Sequence, residues 1–226
     1  MDRLSKVIER LINQSPFIQE AISEGLINIS SLARKLNPDI RKITGKDVSD
    51  SAIIMAIKRM PPGTNQKIEH RIKNFMADLG DLIVRSNLVK CTFNNYIGIS
   101  QDQAKFLNQI KDISDNFYTV SRGVAETTII TNEQFKKDIV EIFSQNQLIS
   151  ESENLSSITM KLPQVNTEIS GVYYYLLKKL AWEGINLSEV ISTTNEFTIV
   201  VDTKLVSKAF TVLMDLKSET LQGTEV

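Results

Sequence analysis

The chain has 226 residues, 42% of them hydrophobic and 23% charged, and a net charge of −1, enough for one large domain or two small ones with real cores. It has no apolar run near the roughly 18–20 residues of a membrane span. The opening Met1-Asp2-Arg3-Leu4-Ser5 lacks a signal peptide's apolar centre, and a single Cys91 excludes an intrachain disulfide and any multi-cysteine metal site, so the expected compartment is cytoplasmic. The near-neutral total hides an asymmetry. Residues 1–76 carry 13 Lys/Arg against 8 Asp/Glu and the remainder 13 against 19, which points the front of the chain toward an anionic partner.

The front (1–62) reads as short helices. Leu4, Val7, Ile8, Leu11 and Ile12 form one apolar stripe. Ser15-Pro16 has the form of an N-cap followed by proline at the first helical position, and Gly25 closes that second helix. Ile27-Asn28-Ile29 reads as extended, Ser30 as the cap of a helix over 31–36, and Asn37-Pro38 as its end. Ser49 would cap a further helix through Met60. This order suggests a winged-helix or helix-turn-helix unit contacting double-stranded DNA. In it Lys46, Lys58 and Arg59 would meet phosphates, with Ser49 or Ser51 near base edges. The expected connection, 37–48, is much longer than the 3–4-residue turn of a standard helix-turn-helix. The alternative is a small helical bundle that docks on the rest of the chain, its cations solvated.

Pro61-Pro62-Gly63-Thr64-Asn65 opens a linker and connecting helix over 63–80, on which Ile68, Ile72, Phe75, Met76 and Leu79 repeat at helical spacing. His70 lies off that stripe and has no second ligand at metal-binding spacing, so no metal and no cofactor are expected.

From residue 81 the pattern alternates strands and helices, and it occurs twice. A shift of 70 superposes Ser86 on Ser156, Leu107 on Leu177, Asn116 on Asn186, Val120 on Val190, Glu126 on Glu196 and Ile129 on Ile199. The same shift lays Phe135, Ile139, Ile142 and Phe143 on Leu205, Ala209, Val212 and Leu213. One gapless shift bringing both helical stripes and a strand into phase indicates two copies of one small fold, at 81–150 and 151–217, with 218–226 a flexible tail. In the second copy the order is strand, helix, strand, strand, helix: an α+β class in which an antiparallel sheet lies under two helices. Unpaired sheet edges favour joining the two copies side by side, and the same logic between chains predicts a homodimer.

Gly171-Val172 opening a helix, the run from Glu183-Gly184-Ile185-Asn186 to Ile191-Ser192-Thr193, and Glu196-Phe197-Thr198-Ile199-Val200-Val201-Asp202 resemble an ACT domain, and most nearly the regulatory ACT domains of aspartokinases. The resemblance covers 155–217 and reaches 82–150 through the repeat. It implies two tandem ferredoxin-like βαββα(β) domains and a small-molecule ligand, an amino acid, held where a helix N-terminus faces a loop. Asn166, Ser170, Gly171, Val172, Asn186, Ser192 and Thr193 are the positions it marks for ligand. A helix N-terminus suits a carboxylate because its free N–H groups and dipole face outward. In the first copy Gln101 falls opposite Gly171, which makes that copy structural on this reading.

Nothing points to catalysis. The nine glycines are scattered singly, with no G-x-G to cradle a phosphate. One histidine and one cysteine leave no nucleophile–base pair. Cys91 alternates with Val89 and Phe93 as a buried strand residue would. The expected function is a non-enzymatic regulator that senses an amino acid and acts through its front unit. The alternative is an aspartokinase-like regulatory subunit or protein-interaction module without DNA binding.

Overall fold

The computed structural model describes residues 4–60, 71–72, 74–110, 116–143 and 147–222. The chain divides into two compact units, residues 1–73 and 74–226. The linker expected at 61–65, Ile68, His70 and residues 223–226 lie outside the described residues.

The first unit is helical: α1 Leu4–Asn13, α2 Pro16–Ser23, α3 Ile29–Thr44 and α4 Asp50–Lys58. Its core joins Val7, Ile8 and Ile12 of α1 to Leu32, Ala33, Leu36 and Ile40 of α3, and to Ile53 and Ile57 of α4. Two expectations fail in α3. Residues 27–29 are not a strand, since Asn28 is the N-cap, its side chain accepting from Ser31 N at 3.0 Å. The helix also runs through Pro38 to Thr44 instead of ending there. A proline inside a helix costs about 3 kcal/mol. Here it sits on the exposed side, while the buried stripe continues from Leu36 to Ile40 on the other. Packing of that stripe outweighs one lost backbone bond. The helix ends instead at Gly45, left-handed at φ 66°, where a Cβ would be strained. The connection to α4 is therefore only Gly45 to Ser49, much shorter than expected. Among the described residues of this unit there is no strand to serve as a wing.

The second unit runs β1 Leu82–Asn94, α5 Ile99–Gln109, β2 Tyr118–Arg122, β3 Glu126–Asn132 and α6 Lys136–Ile142. It then repeats the order as β4 Leu148–Lys161, α7 Val172–Trp182, β5 Glu189–Ser192, β6 Glu196–Asp202 and α8 Val206–Gln222. The last helix extends through 218–222, which had read as tail. The six strands form one antiparallel sheet in the order β2-β3-β1-β4-β6-β5, so the two copies do join side by side.

The joining is closer than a shared edge. The C-terminal part of β1 pairs with β3, and its N-terminal part pairs with the C-terminal part of β4. That part of β4 also pairs with β6, while the N-terminal part of β4 returns to β1. Each long strand thus begins its own copy and supplies the fourth strand of the other, completing two four-stranded halves of the one sheet. The changeover falls at the paired residues Leu88 and Leu155. On either side the register slips by one residue, first on β1 and then on β4. Asn87 and Asn154, each immediately before one of these leucines, are the two non-glycine residues at positive φ among the described residues, 58° and 54°. Asparagine tolerates that region better than most residues, and a bulge there turns the strand so that its two ends serve different halves of the sheet.

The gapless shift of 70 holds for the later elements and fails for the earlier ones. Leu88 pairs with Asn132 as Leu155 pairs with Asp202, so the first strands correspond at an offset of 67. The N-caps of α5 and α7, Gly98 and Gly171, correspond at 73. Only from β2 onward does 70 apply, as Val120–Ile129 and Val190–Ile199 show. The second copy has a longer loop between its first strand and helix, and a shorter return to the next strand.

One face of the sheet carries the helices. Val89, Cys91 and Phe93 of β1 and Ile129 of β3 meet Phe106 of α5, Ile139 of α6 and Phe143, with Phe93 stacked on Phe143 at 5.2 Å. Leu88, Ile130, Leu155 and Val200 form a second buried cluster on the opposite face, flanked by Phe117 and Ile191 near the two sheet edges. Lys90 Nζ donates to Ser188 O at 2.8 Å, from β1 to the start of β5. A flat sheet would hold those strands about 14 Å apart, farther than a lysine and one hydrogen bond reach. The sheet therefore curls, with this face concave.

Candidate functional site

In the second copy, nine residues, 162–170, connect β4 to the N-cap Gly171. Leu162 N donates to Asn195 O at 2.7 Å, tying the loop to the β5–β6 turn. A 3-10 turn over Gln164–Glu168 follows and buries Asn166. Its Nδ2 donates to Thr194 O at 3.2 Å and lies 3.5 Å from Tyr173 Oη. Tyr173 Oη is hydrogen-bonded to Ser192 Oγ, and the Tyr173 ring stacks on Phe197 at 5.0 Å. Thr193 N donates to Glu196 O at 2.9 Å and closes the hairpin.

Gly171 adopts φ 90° and makes no side-chain cap on α7. The first N–H groups of α7 therefore face outward, and the residue before them has no Cβ. Val172 is buried, whereas Ser170, Gly171, Ser192 and Thr193 are exposed around that helix end. Of the seven positions marked in sequence, six thus gather at one end of the sheet. Asn186 does not. It precedes β5 at the opposite end of that strand from Ser192, beyond the C-terminus of α7.

Tyr173 was not among the positions marked in sequence for ligand. It does pack, on Phe197, but its hydroxyl also links Asn166 to Ser192, and its side chain stays 38% exposed at the rim.

The first copy repeats the arrangement with three residues, 95–97, in place of nine. Asn95 N donates to Ala125 O at 2.7 Å, the counterpart of the Leu162–Asn195 bond. Asn95 Nδ2 donates to Gly123 O and Val124 O, both at 3.0 Å. Gly98, at φ 102° and also without a side-chain cap, takes the place of Gly171. The expectation that Gln101 stands there is corrected by the loop length. Arg122, opposite Ser192, donates to Ser100 Oγ at 2.9 Å on the first turn of α5. Tyr96 Oη and Lys105 Nζ both donate to Asp102, and these bonds hold its carboxyl below the ordinary range, Lys105 having the larger effect.

In the helical unit, Ser49 is the N-cap of α4, its Oγ accepting from Ala52 N at 3.3 Å, so that hydroxyl keeps its proton and one lone pair for another partner. Lys46, Ser51, Lys58 and Arg59 are exposed. The short turn is pinned. Asn37 Nδ2 donates to Val48 O at 3.1 Å and to Asp50 Oδ1, Arg41 Nε donates to Asn37 Oδ1 at 3.0 Å, and Arg41 pairs with Asp47.

Among the described residues there is no cluster of His, Cys, Asp or Glu fit to hold a metal ion and no helix long and apolar enough to cross a membrane. The free thiol of Cys91 is buried. Burial, and next the charge of Glu151, push it up to about 12, so it stays protonated and unreactive at neutral pH.

No family model and no curated protein matches the sequence. Solved structures do resemble it. Aspartate kinase from Clostridium acetobutylicum aligns with 60% of this chain at 14% identity and TM-score 0.49, the aligned part being 34% of that enzyme. The ligand-free regulatory subunit of aspartate kinase from Thermus thermophilus aligns with 61% of this chain, over 97% of its own length, at 9% identity and TM-score 0.49. E. coli aspartokinase III, in complex with lysine and aspartate, aligns with 63% of this chain and 33% of its own at 11% identity and TM-score 0.45. At these identities and scores the likeness concerns the chain trace alone.

Proposed function

We propose that the protein is a non-enzymatic regulator whose β-rich unit senses an amino acid at the loop–helix junction of the second copy. The observation that carries this reading is the uncapped N-terminus of α7 at Gly171, ringed by the amide of Asn166 and the hydroxyls of Tyr173 and Ser192. Outward N–H groups at the positive end of an eleven-residue helix suit a carboxylate. The flanking hydroxyls suit a polar side chain or the α-ammonium group. Ligand would act by preferring one arrangement of a homodimer over another.

The helical unit is the output on this reading. The observation favouring duplex DNA as its target is the five-residue turn between α3 and α4, close to the 3–4 residues of a helix-turn-helix. Contact with another protein is the alternative.

Thermal-shift measurement across the twenty amino acids tests the sensor. One or a few should raise Tm, by linkage to binding of the folded state. Ser170→Glu, an exposed change beside the helix end, should abolish that rise and leave the ligand-free Tm in place. Gly171→Asp should abolish it too. A ligand response that survives both variants would remove this site.

A further inference from the structure

We propose a second ligand site in the first copy, at the corner where the β1 bulge meets the β3–α6 turn, for a small ammonium compound that also bears a hydroxyl or amide group. A depression of about 400 Å³ lies there, lined by Ser86, Asn87, Asn132, Glu133 and Gln134. That volume suits a ligand of amino-acid size or smaller in a solvent-open site.

The lining has one charge and unspent hydrogen-bonding capacity. Glu133 makes no ion pair with any described residue. Asn132 Oδ1 accepts from Phe117 N at 2.8 Å, leaving its amide N–H groups free to donate. Gln134 Nε2 donates to Asn116 Oδ1 at 3.4 Å, leaving its carbonyl oxygen to accept. Ser86 Oγ accepts from Ser156 Oγ at 3.2 Å and keeps its own proton. A carboxylate among neutral donors and acceptors fits an ammonium group with a polar neighbour and disfavours an anion. One carboxylate is too few for a hard divalent cation, which seeks six or more oxygens.

The second copy uses the same corner differently. Asp202, Thr203 and Lys204 replace Asn132, Glu133 and Gln134 there. Asp202 Oδ1 accepts from Lys204 N at 2.9 Å, and Thr203 Oγ1 bonds Ser156 Oγ at 2.8 Å. In the first copy Val89 stands in the place of Ser156 and offers no polar atom, so Glu133 has no such partner. The site also includes Asn87, the left-handed residue at the changeover between copies. A ligand held there would fix the junction through which each copy completes the other's sheet.

This site is separate from the α7 junction, so the two fail separately. Amide TROSY spectra of the full chain, titrated with ethanolamine and with glycinamide, test it. Residues 86–87 and 132–134 should shift with both compounds, and Glu133→Gln should weaken the response at least tenfold, about the worth of a charged hydrogen bond. Ser170→Glu should leave the shifts intact. No movement at those residues up to about 50 mM, well above the millimolar Kd of a weak open site, would overturn the proposal. So would an equal response to neutral acetamide, shifts that survive Glu133→Gln, or their loss in Ser170→Glu.

Discussion

Cys91 shows how much a single buried group can say about pH. Its thiol faces the helix-covered side of β1 among Val89, Phe93 and Ile129. The folded value stands near 12 against an ordinary 9.0. Because the folded pKa is the higher, the unfolded chain ionises first, and each pH unit above 9 favours unfolding. The contribution is fully present below pH 9 and is lost as pH rises toward 12. Denaturation midpoints of wild type and Cys91→Ser, followed from pH 8 to 11, should therefore fall more steeply in the wild type. A thiol reagent at pH 8 should label Cys91 only after denaturant is added; rapid labelling of the native chain would contradict its burial. At this scale the sequence was readable where alternation decided the matter, as it did for Cys91. It was not readable where a side chain had two tasks. Nothing in a run of three tyrosines says that Tyr173 alone sends its hydroxyl between Asn166 and Ser192.

Periodicity was a better guide to elements than punctuation was. Apolar spacing located α1, α7 and α8, because burying one stripe dominates the choice of structure. Proline misled at residue 38, where the stripe continues past it, and the extended reading of 27–29 yielded to Asn28 as cap. The repeat was legible too, but a single shift concealed two compensating changes in loop length, and with them the equivalence of Gly98 and Gly171. The shared strands were not legible at all. A 13- or 14-residue alternating strand looks the same whether it serves one sheet or two; only the left-handed Asn87 and Asn154 mark the division. The consequence is testable. Residues 81–147 alone keep three strands and lose the fourth that β4 supplies, exposing Leu88 and Ile130 of the concave cluster. Neither 81–147 nor 148–222 should unfold cooperatively by itself, whereas 74–226 should give one sigmoidal transition. A sharp transition from either half would refute the mutual completion.

At the scale of the whole molecule, charge is divided as the fold is. The helical unit, residues 1–73, carries 13 Lys/Arg against 8 Asp/Glu, and the β-rich unit carries 13 against 19. A cationic unit joined to an anionic one fits an output that meets a polyanion, but net charge alone does not distinguish phosphate contact from solubility. Salt dependence does. Each phosphate neutralised contributes a slope of about −0.9 in log K against log salt on duplex DNA. If Lys46, Lys58 and Arg59 each meet a phosphate, replacing all three with alanine should reduce the slope by about three units per helical unit. Affinity should fall about equally on every sequence, because those residues position rather than specify. Ser51→Ala should leave the slope alone and lower the preference for whichever sequence binds best. All four side chains are exposed, so folding is not in question, and α4 ellipticity checks it. An unchanged slope in the triple variant would move the DNA surface elsewhere. No retarded duplex at low salt, with the helical unit folded, would leave a protein as its partner.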